Sequence, residues 1–187
     1  MPGKAARTIL EIAEDQLGYF TAAQARMAGV KPVTLVKMAQ RGTVKRVSWG
    51  VYRLPNFPTS PYSQFMAASL WPQARRIGFQ GVISHASALS LYELSDVSPP
   101  QVHITLAKAT RLNRVVPAYL VVHRADLPPS DVRQVHGLPV TTPERSIRDC
   151  HATKMGASIV RTAIDDAERE GWLKPLQAAK LKNELLR

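Results

Sequence analysis

Apolar positions in the first third of the chain recur at helical spacing and then change to the short β-rich runs of a hairpin. Ile9, Ala13 and Leu17 follow an i, i+4, i+8 stripe, with Thr8 and Glu11 at capping-box spacing and Gly18 at the stop. Tyr19-Phe20 is a short extended link, after which Thr21 and Gln24 repeat the capping-box spacing and predict a second short helix ending at Gly29. Pro32 suits the first turn of a third helix, which Gly42 closes. On that helix Pro32, Leu35, Val36 and Ala39 share the apolar side, and Met38 falls near the opposite one. Val44–Trp49 and Val51–Leu54 flank Trp49-Gly50 as the arms of a hairpin.

Leu54-Pro-Asn-Phe-Pro-Thr-Ser-Pro61 then interrupts the pattern: its prolines remove backbone donors and hold the preceding residues extended. The expected division is a small module over residues 1–58 and a mixed α/β domain over 59–187. In the second part the pattern predicts a helix over Tyr62–Ala74 that loses its ladder near Pro72, and Val82-Ile83 leading into a helix over Ser84–Leu94. Val102, Ile104 and Leu106 alternate with His103 and Thr105 as a strand with one buried face, and Tyr119–Arg124 reads as another strand. Thr141 with Glu144, and Pro143 in the first turn, predict a helix running towards Lys154. Ala157–Glu170 is expected to bury Ile159, Ala163, Ile164 and Ala167, with Arg161, Asp165 and Arg169 as an outer charge ladder, and Pro175 starts a last helix with Leu181 and Leu185 one turn apart. The fold class expected is α+β, with a winged helix-turn-helix followed by a mixed α/β domain ending in helices.

Charge sharpens this division. The 187 residues carry a net charge of +11, which suits phosphate backbones, an anionic surface or an acidic partner. Residues 1–58 hold nine Lys+Arg against three Asp+Glu, a net of +6, whereas residues 128–187 hold ten against eight. The excess therefore concentrates on the first module. Hydrophobic residues at 45% exclude disorder throughout, and a single cysteine, Cys150, excludes an internal disulfide framework and a four-cysteine zinc site. The charged start breaks up any signal-peptide core, and the longest stretch without acidic or basic residues, Leu54–Ala74, holds four prolines and many polar residues. A cytoplasmic protein without a membrane partner is expected.

Two short helices joined by Gly29-Val30-Lys31, the second basic on its outer side, describe a helix-turn-helix, and the hairpin supplies a wing. A B-DNA major groove admits one such helix. Lys31, Thr34, Lys37 and Arg41 are the candidate groove-facing residues, and Lys45, Arg46 and Arg53 of the ribbon are candidates for the flanking phosphates.

The second part offers few chemical signatures. Gly-x-Gly-x-x-Gly and Walker-type phosphate loops are missing, as are Asp-x-Lys, Glu-x-Lys and Asp-x-Asp. The five histidines, at 85, 103, 123, 136 and 151, never fall at His-x-x-x-His spacing, so neither metal nor other cofactor is expected. His123-Arg-Ala-Asp126 echoes a kinase catalytic loop without its Gly-rich loop or Asp-Phe-Gly, Asp149-Cys150-His151 point in different directions on a helix, and Ser84 before His85 suits an N-cap. No residue is assigned a catalytic role, and the balance leans against an enzyme.

Gly18-Tyr-Phe-Thr-Ala-Ala-Gln-Ala25, the basic third helix and Trp49-Gly-Val-Tyr-Arg-Leu54 resemble the N-terminal winged module of AbiEi-family antitoxins. The resemblance continues through Gly81-Val-Ile-Ser-His-Ala-Ser-Ala-Leu89, Val121-Val-His-Arg124 and Gly137-Leu-Pro-Val-Thr-Thr-Pro-Glu-Arg145 with Asp149. It implies an antitoxin of a bacterial type IV toxin–antitoxin system, encoded beside a nucleotidyltransferase toxin. Such a protein represses its own operon by binding promoter inverted repeats, which takes two copies on DNA, while the C-terminal domain neutralises the toxin. The alternatives are covalent modification of the toxin, for example phosphorylation, and direct masking through the charged C-terminal helices. Ser84, His85, His123, Asp126, Arg145 and Asp149 are the residues of the antitoxin domain singled out for a functional role. This chain ends soon after Leu185, whereas some relatives have longer C-terminal domains.

Overall fold

A computed structural model describes residues 3–74, 78 and 80–186. It divides into two compact units: residues 1–81 with 110–112 and 136–138, and the remainder, residues 82–109, 113–135 and 139–187. The first unit thus runs past the proline-rich segment and takes in the helix that follows it.

The first unit opens with α1 (Lys4–Glu14), β1 (Tyr19–Thr21), α2 (Ala22–Met27), α3 (Pro32–Gln40), β2 (Lys45–Ser48) and β3 (Val51–Arg53). The strands form an antiparallel sheet in the order β1-β3-β2, so the wing is pinned on one side by the strand that leads into the helix-turn-helix. One apolar core joins these pieces: Ile9 and Ala13 from α1, Phe20 from β1, Ala25 from α2, Val30 from the turn, Leu35 and Met38 from α3, and Val44 ahead of the wing. Phe20 stacks on Tyr52 with ring centroids 5.6 Å apart.

Of the helix starts read from the sequence, α2 keeps its capping chemistry, whereas α1 and the helix expected from Thr141 start elsewhere. Ser84, expected to cap the helix after Ile83, makes no side-chain cap bond because its hydroxyl meets His85 and Thr105. At α2 the full capping box forms: the Gln24 N–H donates to Thr21 Oγ1 at 3.1 Å and the Thr21 N–H donates to Gln24 Oε1 at 2.8 Å. At α1 the expected box does not form, because the helix starts four residues before Thr8 and is preceded by Gly3. Ala5, Ala6, Ile9, Ile12 and Ala13 extend the apolar stripe towards the N-terminus and carry the helix with it.

Gly18 and Gly50 mark close approaches. Both have positive φ, and a Cβ on Gly18 would lie 2.5 Å from Phe57 Cβ, one on Gly50 2.7 Å from Ala74 Cβ. The chain after the wing therefore packs back on the module: α4 (Ser63–Leu70) is buried from Phe65 to Leu70 and passes into a 3-10 turn at Trp71–Gln73, where Pro72 ends the ladder.

The second unit is built on a five-stranded mixed sheet in the order β6-β5-β4-β8-β7, from β4 (Val82–Ile83), β5 (Val102–Leu106), β6 (Leu120–Arg124), β7 (Val132–Val135) and β8 (Leu138–Thr141). β4 runs antiparallel to β5 and parallel to β8, and β5 runs parallel to β6. The helices are α5 (His85–Leu91), α6 (Pro143–Ala152), α7 (Ala157–Arg169) and α8 (Pro175–Leu185). Thr142 caps α6, accepting from the Arg145 N–H at 3.4 Å, one residue later than expected, because Thr141 is a buried β8 residue whose hydroxyl meets Ser146 Oγ at 2.7 Å. On α7 Val160 takes the buried position expected for Ile159. Arg161, Asp165 and Arg169 are exposed on α7 as expected, but the ion pairs run elsewhere: Asp165 binds Lys182 of α8 at 2.6 Å, and Arg169 binds Asp166 at 2.7 Å. Among the described residues no helix is long and apolar enough to cross a membrane.

Candidate functional sites: a nucleic-acid interface and a histidine cluster

The helix-turn-helix turn is set by backbone chemistry. Gly29 takes φ +83°, the Val30 N–H donates to Ala25 O at 2.9 Å, and the buried Val30 side chain anchors the turn in the core. α3 then packs Leu35 and Met38 inward, with Thr34 and Ala39 half-buried. Its exposed arc is Pro32, Val33, Val36, Lys37, Gln40 and Arg41. The helix is therefore rotated from the wheel read off the sequence: Met38 belongs to the core, whereas Val36, at 51% exposure, belongs to the outer face beside Val33. Apolar residues facing out on this helix are the signal that simple periodicity misassigns. A groove-reading helix has use for them, since small apolar side chains contact the thymine methyl.

Of the seven candidate DNA contacts, Lys31, Lys37, Arg41, Lys45 and Arg46 are exposed and Thr34 is half-buried at the edge of the arc. Arg53 is held differently. One terminal guanidinium nitrogen donates to Phe57 O at 2.7 Å and Pro58 O at 3.1 Å, and the guanidinium lies 5.6 Å from the centroid of the Tyr19 ring. That geometry ties the proline-rich segment to the wing and leaves Arg53 a structural cation. A hollow of about 330 Å³ lies where α2, α3 and the wing converge, lined by Arg26, Pro32, Val36, Arg46 and Trp49 among others.

In the second unit, strand register gathers residues that are far apart in sequence. The parallel pairing of β5 with β6 sets His103 opposite Val121 and Thr105 opposite His123, so the two histidines share one face of the sheet. His103 Nδ1 and His123 Nε2 are 3.1 Å apart. His85, first residue of α5, stacks on His123 with ring centroids 3.5 Å apart. One potential ligand atom from each of the three lies within 4.8 Å of the others. His85 sits at φ +53°, a left-handed conformation that costs a non-glycine residue about 1 kcal/mol or more.

Polar groups brace this trio. Ser84 Oγ lies 3.0 Å from His85 Nδ1 and accepts from Thr105 Oγ1 at 2.8 Å, while the His103 N–H donates to Ser87 Oγ at 2.8 Å. Arg145 bridges Asp149 at 2.9 Å and Asp131 at 2.8 Å, which leaves Asp149 Oδ2 buried without a hydrogen-bond partner. Burial raises the Asp149 carboxyl from its ordinary range against the opposing pull of Arg145. Burial, reinforced by the neighbouring rings, lowers His85 to about 3 and His103 to about 4, and burial also lowers His123 while the Asp149 charge opposes it.

Sequence-selected residues thus separate into two groups. Ser84, His85, His123, Arg145 and Asp149 belong to one neighbourhood. Asp126 does not: it is exposed, and its carboxylate accepts the Lys108 N–H at 3.0 Å. His103 was missed. Its signal was the i, i+2 spacing with Thr105, which puts both on one strand face. The Asp149-Cys150-His151 run is no constellation, since Cys150 is buried with its thiol pushed up to about 12 and His151 is exposed.

Comparison with known proteins bears on the first unit. Residues 7–55 match the family described as transcriptional regulator, AbiEi antitoxin. Over the whole chain the fold is similar to a crystal structure described as the RV2827C protein from Mycobacterium tuberculosis, with 19% sequence identity and a TM-score of 0.54, covering 98% of this chain and 72% of that one. No curated protein sequence gives a significant match.

Proposed function

We propose, from the premise that residues 7–55 are the module of an AbiEi-type antitoxin transcriptional regulator, that this protein represses its own operon and neutralises the toxin encoded beside it. The observation that carries the DNA-binding part is the outward arc of α3. Val33, Val36, Lys37, Gln40 and Arg41 are exposed on one helix whose inner side is fixed in the core, with Lys45 and Arg46 exposed on the adjoining wing. This combination supplies apolar and polar groups for base edges and cations for phosphates.

Promoter DNA carrying inverted repeats is the substrate of this reading, bound by two copies of the chain, one per half-site. The second unit neutralises a nucleotidyltransferase toxin in the bacterial cytoplasm. The C-terminal helices present mixed charge: Arg148 of α6 binds Glu144 and Glu184, and Lys182 of α8 binds Asp165 and Glu168. Each partly exposed pair is worth about 0–1 kcal/mol by itself, little enough for a partner's charges to replace.

A two-output experiment tests the reading. A reporter driven by the operon's own promoter, and growth of cells expressing the toxin, are both followed with the wild-type chain and with Lys37→Ala/Arg41→Ala. The expected result is repression lost and toxin neutralisation kept. Undiminished repression by the double variant rejects α3 as the reading element. Failure of the wild-type chain to rescue growth rejects the antitoxin role.

A further inference from the structure

We propose that His85, His103 and His123 form a binding site for a divalent transition-metal cation, with zinc the best match. The inference is independent of the DNA-binding reading, because every group involved lies in the second unit.

Three observations carry it. First, the donor set is right for the ion: imidazole nitrogens suit zinc, copper, nickel and iron, and three protein ligands with one open position form a recurrent zinc arrangement. Second, the spacing fits. Two nitrogens bound to a tetrahedral zinc at about 2.05 Å each lie about 3.3 Å apart, and His103 Nδ1 and His123 Nε2 are already at 3.1 Å. All three ligand atoms fall within 4.8 Å of one another, and a turn of the His85 ring out of its parallel stack on His123 closes the set. Third, the surroundings are those of a held site. His85 is kept in a left-handed backbone conformation that places its ring against His123. Ser84 stands beside the His85 Nδ1 and is itself hydrogen-bonded by Thr105. With zinc on Nε2, the Nδ1–H donates to Ser84, which fixes the ring and its tautomer.

The unpartnered Asp149 Oδ2 adds an argument from charge. Asp149 holds Arg145 through Oδ1, its second oxygen is buried with no donor, and its charge acts on the His123 ring. A dication among the imidazoles adds to the positive charge that Arg145 already supplies to this half-used carboxylate. A hydrogen-bonded trio without metal accounts for the 3.1 Å contact between His103 and His123. It gives no reason for the strained His85 or for the unused carboxylate oxygen. The five histidines have no metal spacing in sequence, because the ligands come from a helix start and two parallel strands and meet only in the folded sheet.

The test uses the full chain, stripped with a chelator and dialysed against zinc chloride, with metal content measured afterwards and cobalt(II) as a spectroscopic probe. The expected result is one equivalent of zinc, visible cobalt bands of an imidazole-rich site, and loss of that equivalent in both His103→Ala and His123→Ala. His136→Ala and His151→Ala keep it. Zinc at 100 times its dissociation constant should also lower the unfolding equilibrium constant about 100-fold. If either cluster variant fails to fold, imidazole NMR of the wild-type chain decides. Zinc must shift the rings of His85, His103 and His123 and spare those of His136 and His151. No bound zinc, or shifts confined to His136 and His151, overturns the proposal.

Discussion

Exchanging Met38 and Val36 in turn for alanine tests which side of α3 faces the core, and hence which side is offered to DNA. Met38 is 9% exposed and belongs to the cluster that includes Phe20, Leu35 and Val44, whereas Val36 is 51% exposed. Truncating a buried methionine removes about three heavy atoms of packing and leaves a cavity, a loss of about 2–3 kcal/mol at the lower end of the range for such changes. That is a 30- to 150-fold shift in the folding equilibrium. Val36→Ala removes exposed surface and replaces a β-branched residue by the best helix former, so the net change stays within about 0.5 kcal/mol of zero. Urea unfolding of the full chain followed by far-UV circular dichroism gives both values. A companion variant, Val36→Glu, keeps the fold but puts a carboxylate on the face offered to phosphates, and promoter affinity should fall at least about ten-fold, or 1.4 kcal/mol. The reasoning is refuted if Val36→Ala is the destabilising change and Met38→Ala leaves stability intact, since α3 would then present the opposite face.

The wing variants Lys45→Ala/Arg46→Ala should reduce the slope of log affinity against log salt by about 1.8, whereas Arg53→Ala should leave it unchanged while destabilising the fold, because that guanidinium is bonded to Phe57 and Pro58. Equal slopes for the wild type and the wing variant contradict the assignment of the wing cations. Gly18→Ala should cost about 2–4 kcal/mol from positive φ and from the clash with Phe57; the loss should shrink when combined with Phe57→Ala, and strict additivity of the two in urea unfolding would contradict the close approach. Metal-free protein should lose stability on acidification. The folded-state pKa of His85, about 3, lies below its unfolded value of 6.5, so the unfolded chain binds the extra proton and stability falls as pH drops from about 6.5 towards 3. Between pH 7 and 5 this buried imidazole alone contributes about 2 kcal/mol of loss, with His103 acting in the same direction. Stability that holds flat over that interval in the metal-free chain contradicts the burial of the trio.

Local chemistry made the first unit legible, and tertiary pairing hid part of the second. Thr21 and Gln24 announce α2 because the capping box is a contact over three residues, and Trp49-Gly50 marks the wing turn for the same local reason. α3 was placed correctly in sequence but turned about its axis, because Val36 faces outward beside Val33 and periodicity reads Val36 as core. β8 escaped because all four of its residues, Leu138 to Thr141, are buried, which removes the alternation that identifies a half-exposed strand. β7 went with it, since a strand of four residues is recognised mainly through its partner. The histidine trio was illegible for a stronger reason: His103 and His123 are joined by parallel register, and His85 by the helix that starts beside them, and no spacing in the sequence encodes either.

Titration of the full chain against a duplex of its own promoter, across a range of salt, tests the central claim most directly when Lys37→Ala/Arg41→Ala is measured beside the wild type. The account predicts that the wild type prefers this duplex to a scrambled one of equal composition. It also predicts that the variant loses affinity and shows a salt slope smaller by about 1.8, so that the gap between the two narrows about 12-fold from 50 to 200 mM salt. Equal affinity and equal slope for a folded variant would contradict it.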